Sequence, residues 1–427
     1  MEVSTSYKPL GFPHCFYGWQ YNYPMSILYS KHIILGVTGS IAAYKSAELA
    51  SRLTQAGSQV DVILTPAAEK FITPLTFQSV TGRKAFTESE LWGGEAHILH
   101  VGLGQSADLL VIAPCTANTI GKLAHGLADN LLTITALAMR SPILIAPAMD
   151  AGMYEHPATQ ENIEILRRRG IIFAGPVEGH MASGLTGFGR MMEPVEIIGH
   201  IRLALGIGGK LAGKKIVVSA GGTQEPLDPV RMLTNRSSGK QGYAIAQAAI
   251  ESGATVVLVT APTNLAPPVG CKVVPTLTAE DMHTAVISEA AHADVLVMAA
   301  AVADFRSKTI AKNKLKKREG IPHLDLETTP DILQAVSELG SKKPRFVVGF
   351  AAESTDLIEN AANKLKMKKL DLLVANDISA SDAGFGTDEN RVTLLFPDGK
   401  VDSLPLMSKS EVAEILVAHL EVLVERK

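Results

Sequence analysis

Small hydroxyls, amides and glycines gather at the ends of apolar runs in this chain, and such groups hold phosphates and orient polar substrates. The turn Gly36-Val-Thr-Gly-Ser-Ile-Ala-Ala joins one apolar run to a helical pattern. Backbone N–H groups and small hydroxyls there suit a phosphate. A glycine at such a turn equally serves to pack helix against strand, and the GxGxxG spacing of a dinucleotide fingerprint is missing, which counts against a nicotinamide cofactor. Pro114-Cys-Thr-Ala-Asn-Thr ends a second apolar run with a burst of small polar groups, and Pro147-Ala-Met-Asp-Ala-Gly-Met-Tyr ends a third. His100 precedes the second run. His97 and His100 share helical i, i+3 spacing, but two histidines without a third ligand make a poor zinc site.

A second set of chemical residues lies further on. Ala220-Gly-Gly-Thr-Gln-Glu-Pro-Leu-Asp-Pro-Val-Arg runs into Thr234-Asn-Arg-Ser-Ser-Gly-Lys-Gln-Gly and opens a helix, the place expected for a phosphate-bearing ligand. It lacks the GxxxxGK(S/T) pattern of a P-loop. Met298-Ala-Ala-Ala-Val-Ala-Asp-Phe-Arg ends a strand, and the basic segment Lys312-Asn-Lys-Leu-Lys-Lys-Arg follows. Alone, that segment reads as a solvated loop. Thr329-Pro-Asp-Ile-Leu, Val348-Gly-Phe-Ala-Ala-Glu and Lys364-Leu-Lys-Met-Lys complete the set.

The elements that must position these residues repeat one grammar twice. His32–Val37 reads as a strand, Ile41–Gln55 as a helix closed by Gly57, and Gln59–Thr65 as a strand, the βαβ unit of a parallel sheet. Asp108–Pro114, Ser141–Pro147 and Ile171–Pro176 continue the sheet; their unbroken apolar character implies that both faces are covered. A Gly- and Lys-rich stretch from Gly206 to Lys215 interrupts the pattern. It restarts with strand Lys215–Ala220, a long loop Gly221–Ser238, helix Gly239–Ser252 and strand Thr255–Thr260, and strands Asp294–Ala300, Arg345–Phe350 and Asp371–Ala375 follow. The expected fold is α/β: two doubly wound three-layer domains with mainly parallel sheets, the first flavodoxin-like and the second Rossmann-like. Expected boundaries are an extension over 1–30, a first domain over 31–200, a linker over 201–213 and a second domain over 214–427. The extension reads as a disordered tail or a misassigned start, with Met25 a candidate initiator.

Bulk properties agree. At 427 residues the chain exceeds one ordinary core. With 46% apolar and 19% charged residues it is globular, and a net charge of -3 gives no reason to expect nucleic acid or an anionic membrane as partner. Three cysteines, Cys15, Cys115 and Cys271, form no CxxC pair and suit a reducing cytoplasm. No apolar run reaches the ~18 residues of a membrane helix.

Taken together, the first set of motifs resembles the flavin-dependent cysteine decarboxylases, in particular phosphopantothenoylcysteine decarboxylase, over Lys31 to Pro194. The second set is similar to phosphopantothenate–cysteine ligase over Gly213 to Lys427. The resemblance implies a bifunctional enzyme of coenzyme A synthesis. FMN would be held by the Thr38–Ser40 turn (Gly39, Ser40), Thr65, Pro114, Thr116 and Met149. His100 would stand beside the substrate carboxylate, Asn118 would hold substrate or flavin, and Met149 and Asp150 would clamp the substrate. In the ligase half, Asn235 would hold the activated intermediate. Ala300, Asp304, Pro330, Asp331, Ile332, Leu333, Phe350, Lys364 and Lys368 would surround the nucleotide, and Lys314 would neutralise phosphate charge from a mobile flap. The implied co-substrates are 4'-phosphopantothenate, L-cysteine and CTP, with Mg2+ carried on the nucleotide phosphates. Trimers of the flavin half and dimers of the ligase half would combine as a dodecamer.

Three positions depart from the family pattern. Asp150 stands for the usual Asn and Thr329 for an Asn before Pro-Asp-Ile. Ser183, in Met181-Ala-Ser-Gly-Leu-Thr-Gly-Phe-Gly-Arg, stands for the flap cysteine that donates the last proton. A serine hydroxyl is a far weaker acid than a thiol. Three rival readings are a working ligase with an impaired decarboxylase, motivated by Ser183; a flavoprotein acting as a binding or regulatory subunit, as some relatives of the flavin domain do; and an NAD-dependent dehydrogenase, disfavoured by the missing fingerprint.

Overall fold

Runs of Val, Ile and Leu without polar alternation become strands covered on both faces. The computed structural model describes residues 26–92, 99–182, 184–316, 323–353, 357–377 and 387–425. Its first sheet has β1 (His32–Val37), β2 (Gln59–Leu64), β3 (Ala85–Phe86), β4 (Leu109–Cys115), β5 (Ile143–Pro147) and β6 (Ile172–Phe173). All are parallel, in the order β3-β2-β1-β4-β5-β6. Successive side chains of β1 enter opposite cores. Ile33, Leu35 and Val37 pack with Leu49 and Ile197, while Ile34 packs with Ile120 and Leu131. The helices that cover the two faces are α1 (Ala43–Gln55), α2 (Pro74–Thr81), α3 (Leu99–Ser106), α4 (Ala117–His125), α5 (Leu131–Ala138), α6 (Ala151–Glu155), α7 (Pro157–Arg168) and α8 (Pro194–Gly206).

Two features differ from the expected elements. The run Ile171–Pro176 pairs only at Ile172 and Phe173, because Gly175 turns the chain at φ +82° and sends it away from the sheet. It continues as an antiparallel hairpin, β7 (Val177–His180) and β8 (Thr186–Arg190).

The second sheet contains β9 (Lys215–Ala220), β12 (Thr255–Thr260), β13 (Lys272–Pro275), β14 (Val295–Met298), β17 (Phe346–Glu353) and β18 (Leu372–Asp377), parallel to one another. Two antiparallel strands, β20 (Val392–Leu395) and β21 (Val401–Ser403), close one edge. The order is β13-β12-β9-β14-β17-β18-β20-β21. One face is covered by α9 (Lys240–Glu251) and α13 (Lys409–Glu425), the other by α10 (Ala279–Ala290), α11 (Ile332–Ser337) and α12 (Leu357–Met367). Outside this sheet lie the pairs β10 (Gln224–Pro226) with β11 (Met232–Thr234), β15 (Phe305–Ser307) with β16 (Leu326–Thr328), and β19 (Glu389–Asn390) with β22 (Met407–Ser408). The segment expected as a plain loop, Gly221–Ser238, thus contains a hairpin. Every residue of β11 is exposed, so no buried face announces it as a strand.

Helix α8 joins the halves. Ile197, Ile201 and Ala204 enter the first core, while Leu203 packs on the second and Leu211 lies inside it. A Cβ on Gly206 would come within 2.6 Å of the Ile250 carbonyl, so only glycine admits this approach. Among the described residues no helix is long and apolar enough to cross a membrane.

Two candidate active sites at the carboxyl ends of the sheets

Strand order in the first sheet reverses between β1 and β4, and a ligand crevice forms at such a switch point. The Thr38 side chain is buried there. Its hydroxyl donates to the Pro114 carbonyl at 2.7 Å and accepts from the Thr116 N–H at 3.1 Å. Thr116 in turn caps α4. Thr65, at the end of β2, donates to the Val37 carbonyl at 3.4 Å. Gly39 and Ser40 remain partly exposed ahead of α1, which has no side-chain cap and no acidic residue in its first turn. Asn118 is exposed in the first turn of α4.

The next strand brings Met149 and Asp150 to the same end of the sheet. Ala148 N–H donates to the Cys115 carbonyl at 3.0 Å, placing Met149 and Asp150 beside the β4 end. Met149 N–H donates to the Gly189 carbonyl at 3.0 Å, which ties β8 to the same place. The Asp150 carboxylate accepts from Gly152 N–H at 3.0 Å and so caps α6. Ser183, between β7 and β8, lies outside the described residues, as does His97. Cys115 is fully buried and burial pushes its thiol well above the ordinary range, and Cys271 lies in the second half. Neither replaces a flap thiol.

His100 is partly buried in the first turn of α3, with Nδ1 shielded from solvent and without a hydrogen-bond partner among the described residues. Unpaired buried polar atoms are uncommon and call for a partner. This orphaned imidazole nitrogen, the hydroxyl cluster and the uncapped α1 N-terminus fit an anionic, hydrogen-bonding cofactor such as FMN.

Strand order in the second sheet reverses between β9 and β14, and a cavity of about 900 Å³ opens there. Its wall brings together Asn235, Ala300, Asp304, Pro330, Asp331, Ile332, Leu333, Phe350, Lys364 and Lys368. Beyond β14 the chain leaves the ladder, so its backbone groups need other partners. Ser219 accepts from Ala300 N–H at 3.1 Å and Thr223 from Ala303 N–H at 2.9 Å. Asn235 Nδ2 donates to the carbonyls of Ala301 and Val302 at 3.3 and 3.1 Å. The Thr329 hydroxyl donates to the Ala303 carbonyl at 2.6 Å. Asp331 caps α11 and pairs with Lys368; burial pushes its carboxyl up, but Lys368 and the Gln334 N–H draw it below the usual range.

Lys314 is exposed and is not among the residues that line this cavity. Lys317 and Arg318 lie outside the described residues. Conversely, the wall includes Lys240, Gln241, Asn376, Asn390 and Lys409, none of which sequence reasoning singled out. Gln241 Nε2 donates to the Lys409 carbonyl at 3.1 Å, which orients the amide and leaves Oε1 buried with no partner among the described residues; Asn376 Oδ1 is in the same condition. Lys409 is buried, and burial together with Lys240 lowers its pKa. Of these, Lys240 and Gln241, inside the Ser-Gly-Lys-Gln-Gly stretch, carried a local signal. Among the described residues no group of three or more His, Cys, Asp or Glu is placed to hold a metal.

Comparison with known proteins matches residues 25–205 to the Flavoprotein family and residues 211–423 to the DNA/pantothenate metabolism flavoprotein C-terminal domain. The coenzyme A biosynthesis bifunctional protein CoaBC of Bacillus subtilis (strain 168) is 45% identical over 394 residues, covering 91% of this chain and 97% of that protein. The protein of the same name from Escherichia coli (strain K12) is 41% identical over 397 residues, covering 92% and 97%. Among solved structures, the C-terminal domain of a protein of that name shows 40% identity and a TM-score of 0.44, covering 52% of this chain and 100% of that one. A PPC decarboxylase mutant complexed with pantothenoylaminoethenethiol shows 35% identity and a TM-score of 0.38, covering 41% and 97%.

Proposed function

The chain belongs to the family of bifunctional coenzyme A biosynthesis proteins, and on that premise we propose the following division of labour for this ligase and decarboxylase. The second half joins 4'-phosphopantothenate to L-cysteine using CTP and Mg2+, through an acyl-cytidylate. The first half, with FMN, decarboxylates 4'-phosphopantothenoyl-L-cysteine to 4'-phosphopantetheine.

The observation that carries the ligase reading is the cavity at the β9/β14 switch point, where lysines, amides and an aromatic ring converge. Phe350 offers a stacking face to the base, while Lys364 and Lys368 take the nucleotide's charge, with Asp331 holding Lys368 in place. Expelling pyrophosphate builds negative charge, which fixed cations stabilise. Asn235, anchored on the Ala301 and Val302 carbonyls, orients the activated carboxyl. Lys314 neutralises phosphate from its exposed segment, and Mg2+ arrives on the nucleotide.

In the flavin half, Gly39, Ser40, Thr65, Pro114, Thr116 and Met149 would hold the cofactor, and the α1 N-terminus would offer its free N–H groups to a phosphate. A bound flavin supplies the reversible hydride acceptance that makes carboxylate loss beside a thiol-bearing carbon feasible. His100 stands at the substrate carboxylate, and Asn118, Met149 and Asp150 orient the substrate. On the same family premise the flavin half assembles as trimers, with dimers through the ligase half giving a dodecamer; Ile41, Tyr44, Leu75, Met153 and Phe188 are exposed apolar side chains of the flavin half. We place the enzyme in the cytoplasm.

The test is mass spectrometry of products from purified chain given 4'-phosphopantothenate, L-cysteine, CTP and Mg2+, with flavin read by absorbance. Phosphopantetheine and CMP support both steps. Phosphopantothenoylcysteine or an enethiol alone supports the second reading, a decarboxylase impaired by Ser183 in place of the flap cysteine. No CMP at all sinks the ligase assignment.

A further inference from the structure

The basic segment that carries Lys314 is held at two points on the β10–β11 hairpin. Ala311 N–H donates to the Leu227 carbonyl at 3.0 Å. Leu315 is gripped twice: its N–H donates to Asp228 Oδ2 at 3.1 Å, and its carbonyl accepts from Arg231 Nη1 at 2.9 Å. Lys312, Asn313 and Lys314 bow out between these anchors, all exposed.

Asp228 divides its two oxygens between two tasks. Oδ1 accepts from the N–H groups of Val230 and Arg231 at 2.7 and 2.8 Å, an ordinary way for Asp or Asn to close a turn. Oδ2 adds nothing to the turn's backbone. It accepts from Arg231 Nη1 at 2.7 Å and from Leu315 N–H, 87 residues away. A residue needed only to form the turn has no use for the second oxygen. The carboxylate is buried, yet hydrogen bonds from Val230, Leu315 and Arg231 draw its pKa down to about 2, so it is charged at any working pH.

The hairpin that bears Asp228 is itself registered on the cavity wall. Thr223 N–H donates to the Ala301 carbonyl at 3.3 Å, Thr234 Oγ1 donates to the Thr223 carbonyl at 2.7 Å, and Asn235 bonds Ala301 and Val302. Wall, hairpin, Asp228 and lysine segment form one hydrogen-bonded chain.

We propose that Asp228 is a positioning residue of the ligation, latching the lysine segment at Leu315 through Oδ2 so that Lys314 presents its charge from a fixed place. The latch rests on the reading of Lys314 as a phosphate-neutralising residue. Asp228→Asn separates its two tasks, because the amide oxygen still closes the turn while the NH2 group cannot accept from Leu315 or Arg231.

The experiment measures kcat for CMP formation by the full chain for wild type, Asp228→Asn, Lys314→Ala and the double variant. Asp228→Asn is expected to lower kcat by about tenfold, the scale of a lost charge-assisted hydrogen bond. Lys314→Ala is expected to lower it at least as much. The double variant should match Lys314→Ala within roughly twofold, since both changes remove one effect. Equal losses added on top of Lys314→Ala would overturn the latch alone, as would Asp228→Asn with unchanged kcat. A fully active Lys314→Ala would remove the assignment of Lys314 and the latch with it. An Asp228→Asn chain without any ligation, below the Lys314→Ala level, would mark Asp228 as necessary for folding and also overturn the proposal.

Discussion

Thr38 and Thr116 stand 78 residues apart, yet the Thr116 N–H donates to the Thr38 hydroxyl at 3.1 Å. The same hydroxyl donates to the Pro114 carbonyl at 2.7 Å, so one buried oxygen stitches the β1–α1 turn to the β4–α4 turn. Thr38→Val keeps the shape and removes both bonds, leaving a buried carbonyl and amide unpaired. That costs about 1–3 kcal/mol. The purified variant should have a lower thermal midpoint and less flavin absorbance than wild type, and Thr38→Ser should restore both. Full flavin content in Thr38→Val would remove this turn from the cofactor site.

Gly189 passes so close to Met149 that a Cβ there would overlap the Met149 carbonyl, and its φ of +149° is unusual for an L side chain. Gly189→Ala should push β8 off the Met149–Asp150 segment. Decarboxylation of supplied phosphopantothenoylcysteine should fall by an order of magnitude or more, while CMP formation stays unchanged. Equal activity in both assays would show that the tether has no part in the chemistry.

Asn376, in the cavity of the second half, buries an Oδ1 with no partner among the described residues. Such an atom weakens the free protein, so Asn376→Leu should leave the ligase half as stable as wild type or slightly more so. Ligation should weaken, because a substrate donor loses its acceptor, by about 1–3 kcal/mol in kcat/KM. A variant that unfolds more readily while ligating normally would assign Asn376 to the fold.

Glu414, on α13, lies near Glu251, which pairs with Arg202 of α8 at 2.9 Å. Burial pushes the Glu414 carboxyl up from 4.5, and Glu251 pushes it further, to about 7. Between these values the folded chain keeps a proton that the unfolded chain has lost. Stability therefore falls as pH rises through this window, and the loss is complete above about 7. Glu414→Gln should flatten that part of the pH profile and raise the thermal midpoint at pH ~8 relative to wild type. Parallel profiles for the two proteins would show that Glu414 does not titrate this way.

Much of the fold was legible because backbone polarity and side-chain oiliness act locally. The run Leu109 to Cys115 is buried at every residue, and its unbroken apolar character alone demands a covered parallel strand. The turns after β1 and β9 were legible too, since small polar residues must end such strands wherever a ligand is to approach. Asn235, Asp331, Lys364 and Lys368 were named from motif text and meet in one cavity. The β10–β11 hairpin was not legible: with β11 fully exposed, its pairing depends on hydrogen bonds that have no hydrophobic period.

Gln241, Asn376 and Lys409 show what only the tertiary structure decided. Asn376 and Lys409 are unremarked in their own neighbourhoods, a strand end and a helix start, and Gln241 carries only the signal of its Ser-Gly-Lys-Gln-Gly stretch. They share a wall because β18 lies in the same sheet as β9 and because α13 packs on α9. The same holds for Asp228 and Leu315, joined across 87 residues. Local sequence determines which segments can be strand or helix and where chemistry-bearing turns fall. Which turns become neighbours is set by burying both faces of each sheet at once, a condition on the whole chain that no window of it contains.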